Sequence, residues 1–348
     1  MEADDTPVPI RRRAPVMSDV GRLAGVSHQT VSRVINGSES VRPETRQRVL
    51  AAMEELGYRP NPVARALATG RSSTLGVVSF DTTLYGPAST MVGIERAAHE
   101  AGYFTIVVSL KALNRASVSE AVERLQLHGV DGILVIAPLE ESADATLHAP
   151  VGDIPLVAVE AGPAAGVPVV AIDQFAGAVS ATRHLLELGH NTAWHIAGPQ
   201  NFLEAQRRTE GWRATLEEAG APVHEPEFGD WSARSGYRLG RALCVDRSVT
   251  AIFVANDQMA LGVLRALHEH GRAIPREVSV VGFDDIPEAA YFTPPLTTVK
   301  QDFNDMGSRS LELLLRMMDG EPVEGGTSVA PELQVRASTG RAPRPARR

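Results

Sequence analysis

The chain has one cysteine, Cys244, in 348 residues, so it closes no internal disulfide and builds no zinc site from cysteines. It has no apolar run near the roughly 18 residues that mark a membrane span; the longest runs are short, such as Gly132–Ala137. The opening stretch, MEADDTPVPIRRRAPV, holds acids, prolines and a basic triplet but no apolar segment, which argues against a signal peptide and for a cytoplasmic chain. There is no G-x-x-x-x-G-K-[ST] phosphate loop, no G-x-S-x-G nucleophile elbow and no H-E-x-x-H metal motif. The ten histidines are scattered: His184, His190 and His195 straddle a helix, a turn and a strand, and His268 and His270 read as solvated near a helix end. No metal, cofactor or enzyme class is indicated, and no short-period repeat is present.

What is present suits a water-soluble chain of two or three domains, with 43% hydrophobic and 22% charged residues. The net charge of −8 is unevenly spread. Residues 1–10 hold three acids and no base, whereas residues 11–71 hold eleven arginines against five acids. The remainder is strongly acidic. A basic module on an acidic body is the asymmetry of a nucleic-acid reader joined to a regulatory domain.

Asp19–Ser38, DVGRLAGVSHQTVSRVINGS, has the anatomy of a helix-turn-helix. Ser18 is placed to cap a first helix, with Asp19 favouring its positive end. Val20, Leu23 and Ala24 share a face, and Gly25 permits the turn. Ser27 is placed to cap a second helix with Val31 and Val34 inward and His28, Gln29 and Arg33 outward. Glutamine pairs with adenine and arginine with guanine in the major groove, while Ser27, Thr30, Ser32 and Asn36 suit phosphate oxygens. Pro43 opens a third helix with Val49, Met53 and Leu56 inward and Gly57 as its stop. A three-helix bundle that binds nothing would share this core; the basic balance, tight turn and outward polar set weigh against it.

Asn61–Gly70 reads as a short helix, with Asn61 as cap and Pro62 at its first position. It falls below the roughly 12–15 residues that hold a helix alone in water, so it should order only against something else. Leu67 is then either an apolar wedge in the minor groove or part of a helical linker; composition alone favours the linker. From Thr74 onward strands and helices alternate in two series. Strands are expected at Leu75–Ser79, Phe104–Ser109, Gly132–Ile136, Leu156–Val159 and Val169–Ile172, then at Thr192–Ile196, Ala251–Val254 and Val278–Val281. Helices such as Met91–Ala101, Ser119–His128, Ala178–Leu188, Gln258–His270 and Met306–Met318 intervene. The pattern predicts two parallel-sheet subdomains with helices on both faces.

Open parallel sheets bind ligands beyond the carboxyl ends of their strands. There the sequence places Asp81 and the turn Leu84–Pro87, Glu160, Asn256-Asp257 and Asp284-Asp285. Such groups can converge on sugar hydroxyls, with Arg208 as a forked donor and Trp231 as a flat apolar face. Each has a plainer reading: Asp257 as a helix cap, Trp231 as core, Arg208 as a surface ion pair.

The patterns AGVSxxTVSRVxN and GYRPNxxARxLxxG, at their fixed spacing, resemble the LacI/GalR family of bacterial transcription regulators, and the resemblance runs from about Val16 to about Gly340. GDWSARSG, VANDQMALG, SVVGFDD and PPLTTVKQDF resemble the effector-binding core of sugar-responsive members. The resemblance implies an all-α helix-turn-helix headpiece (16–60), a hinge helix (61–72) and a periplasmic-binding-protein-like α/β core (73–340) of two doubly wound parallel-sheet subdomains. The first would span about 73–171 and 303–330, the second about 172–302 and 331–340, with disordered ends at 1–15 and 341–348. It implies that His28, Gln29 and Arg33 read bases and that Asn61, Ala64 and Leu67 work in the minor groove. Arg208, Asn256 and Asp284 would bind sugar hydroxyls, Trp231 would pack on the ring, and Leu84, Pro87, Glu160, Gln301 and Phe303 would line the pocket. The implied partners are operator DNA, a small sugar such as a galactoside, and a second copy of the chain. The end is too short, basic and proline-rich for a tetramerising heptad helix, so a dimer is expected. Glu160 replaces an Asp, Ile136 an Asn, Ile172 a Phe and His28 a Tyr, which alters the pocket rim and the reading helix. A co-repressor ligand, a sugar-binding protein of the periplasmic type and a carboxylate-based glycosidase are the competing readings; the basic headpiece opposes the second.

Overall fold

A computed structural model describes residues 15–38, 40–59, 66, 70–80, 82–110, 114–138, 152, 154–161, 167–323 and 325–343. The chain divides into two units, 1–72 and 73–348. The hinge residues Asn61, Ala64 and Leu67, Asp81, and the expected arm up to residue 14 lie outside the described residues.

The first unit contains helices α1 (Met17–Ala24), α2 (His28–Ile35) and α3 (Pro43–Leu56). Val20, Ala24, Val31, Val34, Val49 and Ala52 make its centre. So small a core needs close backbone approach: a methyl group on Gly21 would sit 2.9 Å from the Val26 oxygen. Gly25 makes the turn at φ 65°, a conformation that strains any side chain. Ser27 caps α2, accepting from the Thr30 amide at 3.2 Å. The start of α1 corrects the expectation. The helix begins at Met17 with Val16 at the cap position, and Ser18 lies inside it. Asp19 closes the end by accepting from the Val16 amide at 3.0 Å, which is the return half of a capping box. Leu23, expected inward, is 46% exposed, because Val20 and Ala24, one turn apart, already fill the narrow buried stripe.

The second unit is built on two six-stranded sheets. In the order β1 (Thr74–Phe80), β2 (Phe104–Leu110), β3 (Gly132–Ile136), β4 (Leu156–Val159), β5 (Val169–Ile172) and β11 (Thr327–Val329), the first sheet runs β11-β5-β4-β3-β1-β2, all parallel. The second holds β6 (Trp194–Ala197), β7 (Glu227–Phe228), β8 (Ala251–Val254), β9 (Ser279–Asp284), β10 (Thr297–Lys300) and β12 (Glu332–Gln334) in the order β12-β10-β9-β8-β6-β7; β12 alone is antiparallel. The central strands of both sheets are buried along their whole length, as sheets covered on both faces require. The chain crosses between the subdomains three times: after β5, after β10, and between β11 and β12.

Helices α4 (Tyr85–Glu100), α5 (Arg115–Leu127) and α10 (Phe303–Met318) cover the first sheet. Helices α6 (Gln174–Glu187), α7 (Leu203–Glu218), α8 (Ala233–Cys244) and α9 (Asp257–Glu269) cover the second. Helix α4 starts at Tyr85, not near Met91: Gly86-Pro87 looks like a turn, but proline fits a helix's first turn, where its missing N–H is no loss. Asp257 does not cap α9. Asn256 does, accepting from the Met259 amide at 3.0 Å, and Asp257 is fully buried, accepting from Ile286 N at 2.9 Å and Thr298 Oγ1 at 2.6 Å. Strands β7, β10, β11 and β12 and helices α7 and α8 were not named from sequence. The Ala342 amide donates to Leu188 O at 2.9 Å, so the chain stays on the core beyond the expected boundary at 340. Among the described residues no helix is long and apolar enough to cross a membrane.

Candidate functional site

Two surfaces follow from these elements. On α2, burial of Val31 and Val34 turns His28, Gln29 and Arg33 out to solvent together. Ser27 and Asn36 are exposed at the helix ends, and Thr30 and Ser32 are half-buried. Thr30 Oγ1 lies 3.0 Å from Ser27 Oγ, so part of the expected phosphate-binding set braces the helix start.

The second surface is a cavity of about 100 Å³ at the carboxyl ends of both sheets. Arg208 on α7 is its centre. The guanidinium donates to Gln174 Oε1 at 2.8 Å and to the Ala255 carbonyl, pairs with Asp284 at 3.5 Å, and lies 3.8 Å over the Phe283 ring. Gln301 Nε2 donates to Asp284 Oδ1 at 2.7 Å, and Gln174 Nε2 donates to Gln301 Oε1 at 2.7 Å. Gln174 and Gln301 follow two of the three crossings, so the chain segments that join the subdomains are tied together on the cavity floor. Trp231 forms a wall. Its ring presses on Gly198, where an added methyl group would come within 2.2 Å of it, and its carbonyl accepts from Asn256 Nδ2 at 3.0 Å.

The backbone is strained here. Of five described non-glycine residues at positive φ, four are Glu160, Trp231, Asp284 and Asp285, all at this end of the sheets. Such conformations persist only where the surroundings over-determine them. The electrostatics are unusual as well. Burial, then the neighbouring Glu204 charge, pushes the Glu160 carboxyl up to about 8. Burial pushes Glu204 to about 7 against the pull of Arg208, and burial raises Asp284 to about 6 despite Arg208 and Gln301. Burial lowers His195, behind the cavity, to about 3.

These shifts set a stability profile. The folded state holds protons on Glu160 and Glu204 that the unfolded chain, with ordinary values near 4.5, has already lost, so stability should fall as pH rises from about 6.5 to 8.5. Below about 6.5 the unfolded chain protonates its histidines while folded His195 stays neutral, which opposes further gain. The urea midpoint should therefore be higher at pH 6.5 than at pH 8.5, and the double substitution Glu160→Gln with Glu204→Gln should flatten the difference. A parent midpoint unchanged across that range would show that the carboxyls titrate normally.

The expected residues Leu84, Pro87, Glu160, Arg208, Trp231, Asn256, Asp284 and Gln301 all line the cavity. Phe303 does not: it is packed in the core, edge-on to Tyr85 at 5.8 Å, and Tyr85 is the lining residue. Ile136 is fully buried, whereas Ile172 borders an adjoining cavity of about 320 Å³. Sequence reasoning missed Tyr85, Gln174, Glu204 and Gln258. Gln174 was findable, two residues beyond the end of β5, and Glu204 lies one helical turn before Arg208 on the same face.

Comparison with known proteins matches both units. Residues 16–61 fit the model of bacterial regulatory proteins of the lacI family, and residues 182–339 that of a periplasmic binding protein-like domain. The lactose operon repressor of Escherichia coli K12 is 35% identical over 323 residues, covering 92% of this chain and 89% of that protein. A crystal structure of the lac repressor dimer bound to operator and the anti-inducer ONPF superposes with a TM-score of 0.84 at 32% identity, covering 94% of this chain and all of that one. The transcriptional regulator CelR–cellobiose complex superposes with a TM-score of 0.66 at 34% identity, covering 93% and 99%. A helix that turns three polar side chains out, a two-sheet body with a polar cavity at its strand ends, and likeness along nearly the whole length of such regulators converge: the chain belongs to the lacI family of bacterial regulatory proteins.

Proposed function

We propose that the chain is a cytoplasmic, dimeric, sequence-specific DNA-binding repressor of carbohydrate-utilisation genes, released from a pseudo-palindromic operator by a small sugar. It is not an enzyme on this reading. Two copies of α2 would enter successive major grooves of the operator, with His28, Gln29 and Arg33 at base edges, Ser27, Thr30, Ser32 and Asn36 toward phosphates, and Asn61, Ala64 and Leu67 in the minor groove.

The observation that carries the effector reading is the cavity itself. Its polar groups come from both sheets, and its floor is tied to the segments that cross between them. A ligand held by Arg208, Asn256 and Asp284, with Trp231 against its ring, touches both subdomains at once and biases their relative angle. Effector and operator must then oppose each other by the same coupling free energy, typically about 1–3 kcal/mol. Solved complexes of the lac repressor and of CelR carry ONPG and cellobiose by name, so ONPG, further galactosides and cellobiose head the panel to test. A fluorescence-anisotropy titration of operator against that panel checks the reading: one sugar should lower operator affinity at least about tenfold. A sugar that tightens binding would establish a co-repressor instead.

The DNA half has its own test. Phosphate contacts release counter-ions, so operator affinity should drop on the order of a thousandfold between 50 and 200 mM salt if about six phosphates are neutralised. Arg33→Ala should weaken specific binding more than binding to random duplex. Equal losses on both would remove Arg33 from base reading.

A further inference from the structure

Glu160 and Glu204 form a stretch of cavity wall with which no cation among the described residues forms an ion pair, although Arg208 acts on both from nearby. Both line the central cavity, and both also line the adjoining one beyond Gln174. Glu160 is 9% exposed and sits at φ 58° just beyond β4. Its carboxyl meets the Thr90 hydroxyl, which also lies 2.9 Å from Gly86 O and is shared between the two acceptors. Glu204 Oε2 is closed to solvent and has no hydrogen-bond partner among the described residues. The nearest cation, Arg208, is engaged by Asp284, Gln174 and Ala255 O, and Arg207, which borders the adjoining cavity, pairs with Glu210. The other titratable groups around the pair are Asp284, Tyr85 and the α6 cap Asp173, with Asp257 behind. Among the described residues acids outnumber bases here, and both arginines already have an acid.

We infer that the Glu160–Glu204 pair is a subsite for a protonated amine, so that the effector is an amino sugar. The inference rests on the sugar-effector reading and narrows it. An ammonium group has three donors and no acceptor, which matches the unpartnered Glu204 Oε2 and the Glu160 carboxyl beside it. A buried acceptor left without a donor is costly, and more so when charged. A sugar hydroxyl brings a single hydrogen and no charge, and so cannot take the place of the protons that the pair holds. Burial already holds both carboxyls above their ordinary range, so they keep protons at neutral pH that an arriving cation displaces. Among the described residues no three of His, Cys, Asp and Glu are grouped to hold a metal ion.

Isothermal titration of the full chain with matched sets tests this: glucose, glucosamine and N-acetylglucosamine; galactose, galactosamine and N-acetylgalactosamine; and the 6-amino-6-deoxy forms of both hexoses. One amino sugar should bind at least tenfold tighter than its hydroxyl parent, and N-acetylation should remove the gain. Its binding at pH 7 should release protons, read as a heat that varies with the buffer's ionisation enthalpy. Glu204→Gln should cut the preference below threefold; if that variant does not fold, the proton release of the parent protein still decides. Neutral sugars binding while every amino sugar lags would overturn the inference and leave the sugar reading intact. An amine that binds without releasing protons, or stabilisation by magnesium or calcium in place of amines, would also overturn it. Failure of every sugar to bind would overturn both readings together.

Discussion

Arg208→Met should abolish the effector response while leaving a protein that still binds operator. Arg208 is 3% exposed and reaches three separate elements from one side chain: α6 through Gln174, the end of β8 through Ala255, and β9 through both Asp284 and the Phe283 ring. Methionine keeps the stem and deletes every polar contact. Hydrogen bonds to a charged group contribute about 1.5–3 kcal/mol each, so losing two to a bound sugar should cost about a hundredfold in affinity or more. Breaking a buried pair from one side costs about 3–5 kcal/mol of stability when the other charge is stranded. Asp284 softens this, because its carboxyl is already raised to about 6 and takes up a proton once the arginine is gone. The substitution should therefore destabilise more at pH 8 than at pH 5. Effector titration calorimetry, operator anisotropy and urea unfolding at the two pH values check all three parts. A variant that still responds within tenfold of the parent would remove Arg208 from the effector site.

Gly262→Ala should be among the most damaging single methyl groups in the chain. Helix propensity favours alanine by about 1 kcal/mol, so sterics decide the sign. At Gly262 the added carbon would lie 2.1 Å from Ala233 O and 2.4 Å from Tyr237 N, both backbone atoms of α8. Gly236 presents the same problem from the other side, 2.1 Å from Met259 O. No rotamer change relieves either contact; the two helices must part by more than an ångström and open the core around Val263 and Leu239. Overpacking costs about 1–3 kcal/mol and more where backbone must move, and about 3 kcal/mol or more is expected here. Gly86, also helical, has nothing within 4 Å of the added carbon, so Gly86→Ala serves as the stability control and should be near neutral. Equal urea midpoints for the two variants would show that α8 and α9 separate easily.

Much of the fold is legible because its signals are local. Gly25 and Gly57 end their helices at φ 65° and 61°, where only glycine is free of strain. Val31 and Val34 against Gln29 and Arg33 define the faces of α2. Runs such as Gly132–Ile136 and Ala251–Val254 are buried on both faces and carry no alternation, which marks them as central parallel strands. The less legible elements carry competing local signals. Strand β10, Thr297–Lys300, is rich in threonine and follows a proline-rich turn; what makes it a strand is its pairing with β9 and β12. Helix α7 is strongly polar because one of its faces carries Glu204 and Arg208 into the cavity, so its apolar stripe is broken where the site is.

The sequence by itself determined that a basic helix-turn-helix precedes an acidic α/β body, that strand ends supply carboxylates and amides to which an arginine and a tryptophan can be added, and that the long spaced motifs are those of the lacI family. These are properties of residue type and spacing along the chain. Only the tertiary structure decided that Asp257 is buried as a brace and not a cap, that Tyr85 stands in front of Phe303, and that Glu204 joins Glu160 beside an arginine already engaged by Asp284. Each of these depends on which groups meet across crossings far apart in sequence. A carboxylate's role is set by the donors and charges that surround it once water is excluded, and linear spacing does not carry that information.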